Sequence, residues 1–288
     1  MIKNYLELNV EEKNLVNEFI SRKDNNKKSL EEVDKMFNGE VYDNGMGALF
    51  YFQQGNLIGK GCVVLELAKV LHAAYIHSID ILEEVDNEII IIKEIIDKAI
   101  LMAKKYGAEK IKLGIRDEHL LRIAEKLGLH KSYSAFIMTL EDRNMREEVL
   151  ELVSLTEENM EEYIEVYNDS FKDMPHGTFI DSNECKEYLE KSNDENYYFF
   201  GSMDGVNIGF MNCTIEKGEG TFDIGLCKRY RGQGYGKRIL ETAIDFLNKR
   251  KVDKVRLIVI EKNSRAFEMY KKRGFKVESI LSSWIEIL

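Results

Sequence analysis

The pattern of apolar and polar positions is sharpest in the second half of the chain. Period-two alternation and short apolar runs predict strands at Val149 to Thr156, Tyr197 to Met203, Val206 to Glu216, Thr221 to Leu226, Lys254 to Ile260, Phe275 to Ile280 and Ser283 to Leu288. Asp204-Gly205 reads as the hairpin turn between the second and third of these. A 3.6-residue period predicts helices from Thr156, as N-cap, to about Phe171, over Asp181 to Lys191, from a glycine-rich turn to about Arg250, and over Asn263 to Arg273. The resulting order is β-α-α-β-β-β-α-β-α-β-β.

The first half carries a weaker copy. Strands are expected at Tyr5 to Leu8, Ala48 to Gln53, Leu57 to Leu65, Ala73 to Ile81, Lys110 to Ile115 and Ser134 to Leu140. Helices are expected at Glu11 to Ile20, after the capping box Ser29-Leu30-Glu31-Glu32, and over Asn87 to Tyr106 and His119 to Leu127. Ala108 to Leu113 overlays Val252 to Leu257, and Lys126-Leu127-Gly128-Leu129 overlays Lys272-Arg273-Gly274-Phe275 after a two-residue shift. The charged stretch Glu141 to Glu148 then divides the chain into domains 1–145 and 146–288. The expected fold class is α/β, with an α+β mixed sheet in two tandem domains.

Composition narrows the function. The chain has 288 residues, 44% of them hydrophobic, with a single proline, Pro175. That favours dense regular structure over disorder. The four cysteines, Cys62, Cys185, Cys213 and Cys227, form no C-x-x-C pair and read as reduced core thiols of a cytoplasmic protein. No histidine or cysteine spacing suggests a metal site. No apolar run is long enough for a membrane span, and a net charge of −10 argues against a nucleic-acid partner. The charge is also divided. Glu151 to Cys227 carries 18 acids and 4 bases, and Lys228 to Lys276 carries 16 bases and 5 acids. One reading is solvated helix faces; the other is a basic side for a phosphate-rich ligand and an acidic side for a cationic one.

The candidate chemistry begins at Arg231-Gly232-Gln233-Gly234-Tyr235-Gly236, between a strand and a helix. Free N–H groups and the positive dipole end of a helix start favour phosphate, and glycine lets the backbone approach it. A P-loop would need Ser or Thr after Lys237, where Arg238 stands. A Rossmann turn would need G-x-G-x-x-G after a first strand. The spacing here, R-x-x-G-x-G, resembles the acetyl-CoA motif of the GNAT superfamily. A second signature of that family follows: Asn263, Ala266, Tyr270 and then Gly274-Phe275, in the pattern N-x-x-A-x-x-x-Y-x-x-x-G-F. The resemblance covers residues 150–288, and over the first half it rests on element order alone.

The resemblance implies an acetyl-CoA-dependent N-acetyltransferase acting on a primary amine, in two tandem GNAT-like domains. Pantetheine would lie between the strands Thr221 to Leu226 and Lys254 to Ile260. Ile224, Gly225 and Leu226 would bond it, and Gly232, Gln233, Gly234, Tyr235, Gly236 and Lys237 would cradle the pyrophosphate. Arg231, Lys237 and Arg238 would add positive charge, and Asn263 would contact the co-substrate or cap its helix. Tyr270 would be the general acid. The position where some relatives carry a basic glutamate is Ile258, and the sequence does not choose among Glu219, Asp223 and Glu261 as the base. At the first half's equivalent positions stand Asn87 to Ile92 for the glycine turn, Asp117 for Asn263 and Ala124 for Tyr270, which implies a lost cofactor site. The acidic helices after the first strand imply a cationic acceptor. A non-catalytic acyl-CoA-binding module, or a transferase using another acyl-CoA, are the rival readings.

Overall fold

In the computed structural model every residue is described except 25–27 and 83–84, together with the side chains of 23 and 24. The chain forms two compact units, Met1–Tyr133 with Ser282–Leu288, and Ser134–Leu281.

The first unit comprises β1 (Ile2–Asn4), α1 (Val10–Asp24), α2 (Leu30–Phe37), β2 (Ala48–Gln53), β3 (Asn56–Val64), α3 (Glu66–Leu71), β4 (Ala73–Ile81), α4 (Glu88–Lys105), β5 (Lys110–Ile115) and α5 (Glu118–Lys126). Its strands run in the order β1-β2-β3-β4-β5. Neighbours are antiparallel except β4 and β5, which are parallel. Residues 283–286 lie antiparallel to β5, with Ser283 opposite Ile115. Trp284 covers Gly114 so closely that a Cβ there would sit 2.7 Å from its ring. The isoleucine-rich α4 buries Ile91, Ile92, Ile95 and Ile96 against this sheet, as a wide apolar helix face requires.

The second unit comprises β6 (Tyr133–Leu140), β7 (Glu151–Ser154), α6 (Met160–Phe171), α7 (Ser182–Lys191), β8 (Asn196–Met203), β9 (Val206–Glu216), β10 (Glu219–Leu226), α8 (Tyr235–Lys249), β11 (Lys254–Ile260), α9 (Ser264–Arg273) and the start of β12 (Phe275–Glu286). The order is β6-β11-β10-β9-β8-β7, with β10 and β11 the parallel pair. One sheet face packs Leu240, Ala243, Ile244 and Leu247 of α8 against Met211, Phe222, Val255 and Leu257. The other packs Tyr163, Val166 and Tyr167 of α6 and Cys185 of α7 over Phe200 and Phe210. A buried ion pair braces the first of these layers. Arg273 donates to both carboxylate oxygens of Glu241 and to the carbonyls of Asp142 and Asn144, while the Arg146 N–H also reaches Glu241.

Four local expectations change. Tyr5–Glu7 is a 3-10 turn held by a capping box between Asn4 and Glu7, so the first strand ends before it. The α6 helix begins at Met160, because Asn159 rather than Thr156 occupies the cap position, its side chain accepting the Thr156 N–H. α3 had no sequence signal. The two C-terminal strands are one strand, β12. The compact units also part company with the boundary at 145/146: residues 134–140 pair with β11, and residues 283–286 pair with β5. Each unit is thus completed by a strand from the other half of the chain.

Candidate active site

β10 and β11 are hydrogen-bonded only at Glu219↔Lys254, Gly220↔Val255 and Thr221↔Arg256. Beyond Thr221, β10 stays with β9 as far as Leu226, and β11 stays with β6 as far as Ile260. The two parallel strands therefore splay, leaving backbone groups of Ile224, Gly225 and Leu226 facing a gap that an extended chain could enter as a strand would. Glycine is obligatory at this end of β10. A Cβ at Gly225 would lie 2.5 Å from the Phe210 ring and 2.7 Å from Ser170 Cβ, and one at Gly209 would lie 2.1 Å from the Gly225 carbonyl.

The chain then makes a 3-10 turn at Lys228–Tyr230 and enters α8 through the glycine turn. Gly232 (φ 83°) and Gly234 (φ 93°) are left-handed, a conformation that side chains disfavour. The Gln233 amide donates to the Arg229 carbonyl at 2.8 Å, closing the turn. No atom lies within 4 Å of a Cβ built at Gly234, so the space over the turn is open. Tyr235 and Gly236 begin α8 and present first-turn N–H groups, while the Lys237 N–H returns to the Gly234 carbonyl.

The basic side chains expected here divide in use. Arg231 donates to the carbonyls of Leu226 (3.0 Å), Ser170 (2.9 Å) and Asp169 (3.2 Å), so it ties the end of α6 to the end of β10. Arg238 reaches the carbonyls of Glu148 and Val149. Lys237 is exposed, 3.6 Å from Glu147. Arg265, which the sequence reading passed over, brings its guanidinium to 3.7 Å from where a Gly232 Cβ would stand. Its only sequence signal is its place two residues after Asn263, a variable position of the second signature.

Asn263 caps α9 by accepting the Ala266 N–H at 3.3 Å, and its amide donor lies 3.7 Å from the Met174 sulfur. Tyr270 is buried in the α8–α9 layer beside Phe275, and its hydroxyl has no hydrogen-bond partner among the described residues. Burial, and secondarily the Asp223 carboxylate, raise its pKa well above the usual phenol range. It stays protonated at every working pH.

Of the three carboxylates left open by the sequence, two are engaged. Glu219 pairs with Arg256, which also donates to Glu278. Glu261 accepts the Ser134 N–H at 2.8 Å. Asp223 has no cation and no hydrogen-bond donor among the described residues. It lies opposite Asn212, which accepts the Tyr163 hydroxyl. Glu219, Thr221, Asp223 and Gly225 alternate onto the α6–α7 face, as the Glu219–Arg256 pair and the Gly225–Ser170 approach show. The groove leaves Asp223 open to solvent on one side, but crowding by the surrounding protein is enough to raise its pKa. Its charge is felt by Tyr167, Tyr188, Cys213 and Tyr270. An unpaired carboxylate and a protonated phenol thus flank the splay from its two faces.

The acidic wall is thinner than its sequence. Asp181 caps α7 and Glu184 completes that capping box. Asp173 pairs with Lys228 at 2.8 Å, and Asp169 accepts the Lys228 N–H at 2.7 Å. Glu161, Glu162 and Glu165 remain exposed. Glu165 and Asp169 line a cleft of about 490 Å³ with Lys228 and Arg229.

The first unit repeats the parallel pair, from Ala73↔Lys110 to Ile76↔Leu113. Asp117 caps α5 as Asn263 caps α9, and Ala124 is fully buried. His77 takes the place of Asp223, opposite Cys62, with the Tyr42 hydroxyl 3.3 Å away. Burial, with Lys60 and Arg116 adding to it, pushes the His77 pKa down to about 4. At the start of α4 stand Asn87, left-handed, and then Glu88-Ile89-Ile90 instead of glycines.

Comparison with known proteins agrees with this geometry. Residues 152–275 match the model of the Acetyltransferase (GNAT) family. An uncharacterized N-acetyltransferase of Methanocaldococcus jannaschii is 24% identical over 145 residues, which is 47% of this chain and 64% of that protein. This chain therefore matches less than two thirds of that relative's length. A GCN5-related N-acetyltransferase from Sphaerobacter thermophilus superposes with a TM-score of 0.58 at 14% identity, covering 99% of this chain and 94% of that one. A tandem GNAT protein from the clavulanic acid biosynthesis pathway gives 0.52 at 12% identity, covering 83% and 81%. Motif, splayed strands and family match fall on the same stretch: residues 152–275 of this chain are similar to the GNAT acetyltransferase family.

Proposed function

We propose that this protein transfers the acetyl group of acetyl-CoA directly to a primary amine of a small molecule or peptide that arrives positively charged. Catalysis belongs to the GNAT domain, expected over 146–288, and the first half (1–145) supports it without a cofactor site of its own. The observation that carries the reading is the splay of β10 from β11, with Asp223 and Tyr270 on its opposite faces and the glycine turn at its end.

In this reading Ile224, Gly225 and Leu226 hold the pantetheine arm, and Gly232, Gln233, Gly234, Tyr235, Gly236 and Lys237 hold the pyrophosphate. Arg265 adds charge, and Arg231 braces the turn. Asp223 takes a proton from the ammonium of the acceptor. The freed lone pair attacks the thioester carbonyl carbon, and a backbone N–H of β10 stabilises the oxyanion. The C–S bond breaks as Tyr270 gives its proton to the sulfur. The acylated nitrogen gives up its second proton as the amide forms, and that proton passes through solvent to restore the Tyr270 phenol. The proton on Asp223 leaves to solvent, so one proton is released per turnover. Holding thioester and amine together supplies much of the rate without a covalent enzyme intermediate. The test is acetyl-CoA binding by calorimetry with a thiol-release assay across amine classes. One binding site per chain and amine-dependent CoA release are expected. Absence of both refutes the reading.

A further inference from the structure

We propose that the acceptor carries a hydrocarbon body next to its amine, and that Ile258, Ile137 and Ile280 form the surface on which that body lies. The inference rests on the amine-acetyltransferase reading above and names the acceptor's chemistry within it.

Ile258 is 54% exposed although it sits in the middle of β11. It is the next residue after Arg256 on the α6–α7 face, directly beyond the last bonded pair Thr221↔Arg256. Asp223 holds the same rank on β10, so the two side chains project from the same sheet face on either side of the splay. Ile137 of β6 lies directly opposite Ile258 in the antiparallel ladder and shares its face. Ile280 is 57% exposed and stands two residues after Glu278, whose pairing with Arg256 fixes that face.

The strip is therefore apolar across β11, β6 and β12, strands that neighbour one another. Its polar border is already satisfied, because Arg256 bonds Glu219 and Glu278. Among the described residues, its three isoleucines offer no charge or hydrogen-bonding group to a polar substrate. Single exposed isoleucines are ordinary, but neighbouring ones on one sheet face form the kind of contiguous apolar patch that marks a binding surface, and this patch adjoins the carboxylate that receives the amine. An ammonium directed at Asp223 places the atoms behind it on Ile258. Three strands at about 4.8 Å spacing span about 10 Å, room enough for an extended chain of six carbons.

The experiment compares kcat/KM for n-alkylamines from ethylamine to hexylamine, for phenethylamine and for spermidine, by CoA release with acetyl-CoA. Each methylene that reaches the strip is expected to raise kcat/KM by up to about fourfold. In Ile258→Asp the dependence on chain length should flatten, with the KM for acetyl-CoA and the melting temperature unchanged. Ile258→Ala, a smaller perturbation, should give an intermediate slope and serves if the Asp variant fails to fold. Turnover of spermidine with a flat alkylamine series overturns this inference alone. So does an Ile258 variant that loses stability while keeping the wild-type slope, which would make the strip a packing surface. No turnover with any amine overturns this inference together with the reading on which it rests.

Discussion

Replacing Asp223 with Asn keeps the size of the side chain and removes its charge and its basicity. If Asp223 accepts the ammonium proton, kcat at saturating substrates should fall by about 10²- to 10⁴-fold, the usual scale for general base catalysis. The KM for acetyl-CoA should hardly move, since the glycine turn is untouched. Stability should change the other way. Crowding by the surrounding protein, although one side of the group is open to solvent, raises the native pKa of Asp223 above its ordinary 3.8. The native state then holds this proton more tightly than the unfolded state. Stability is consequently lost as pH rises from the unfolded value through the native one. At neutral pH the ionised carboxylate is a net cost that Asn does not carry. Stabilising changes of this kind are commonly worth about 0.5–2 kcal/mol. The groove leaves Asp223 partly hydrated, which places the effect at the lower end, about 1–2 °C in melting temperature at this chain length. Calorimetric melts of both proteins from pH 3 to 8 should show curves that coincide below about pH 4 and separate above it, with the variant higher. The wild-type rate should also rise with pH through the same titration. An unchanged kcat, or a variant that melts below wild type at neutral pH, would refute the assignment.

Tyr270→Phe should lower kcat by about 10²-fold or more while acetyl-CoA affinity holds in a calorimetric titration; unchanged turnover would leave the tyrosine only its packing with Phe275. Gly234→Val should abolish acetyl-CoA binding, because a branched side chain at φ 93° both strains the turn and fills the open space above it; wild-type affinity would contradict the cradle. Glu241→Gln should lower the melting temperature sharply, since breaking a buried ion pair typically costs about 3–5 kcal/mol, and a neutral result in thermal melts would show that Arg273 is held by the Asp142 and Asn144 carbonyls alone. Raising ionic strength should weaken a cationic acceptor's KM more than kcat if Glu161, Glu162 and Glu165 attract it.

The sequence by itself determined what is encoded by residues close together in the chain. The glycine turn, the Asn263 cap and the β10–α8–β11–α9 order depend on local φ/ψ preference and on side-chain alternation, and these are where the pattern put them, whereas α6 starts later than expected and α3 carried no signal. Strand partners and burial are set by residues far apart, and those only the tertiary structure decided. Among the three candidate bases, two are engaged by residues far away in the chain: Glu219 by Arg256, 37 residues on, and Glu261 by Ser134, 127 residues earlier. Asp223 differs from both in that no such partner reaches it among the described residues. The role of Arg231 moved for the same reason: carbonyls on α6, some 60 residues earlier, claim its donors. The exchange of residues 134–140 and 283–286 between units was invisible as well. Alternation identifies a strand and its faces, but it carries no address for the neighbour whose backbone will complete the ladder.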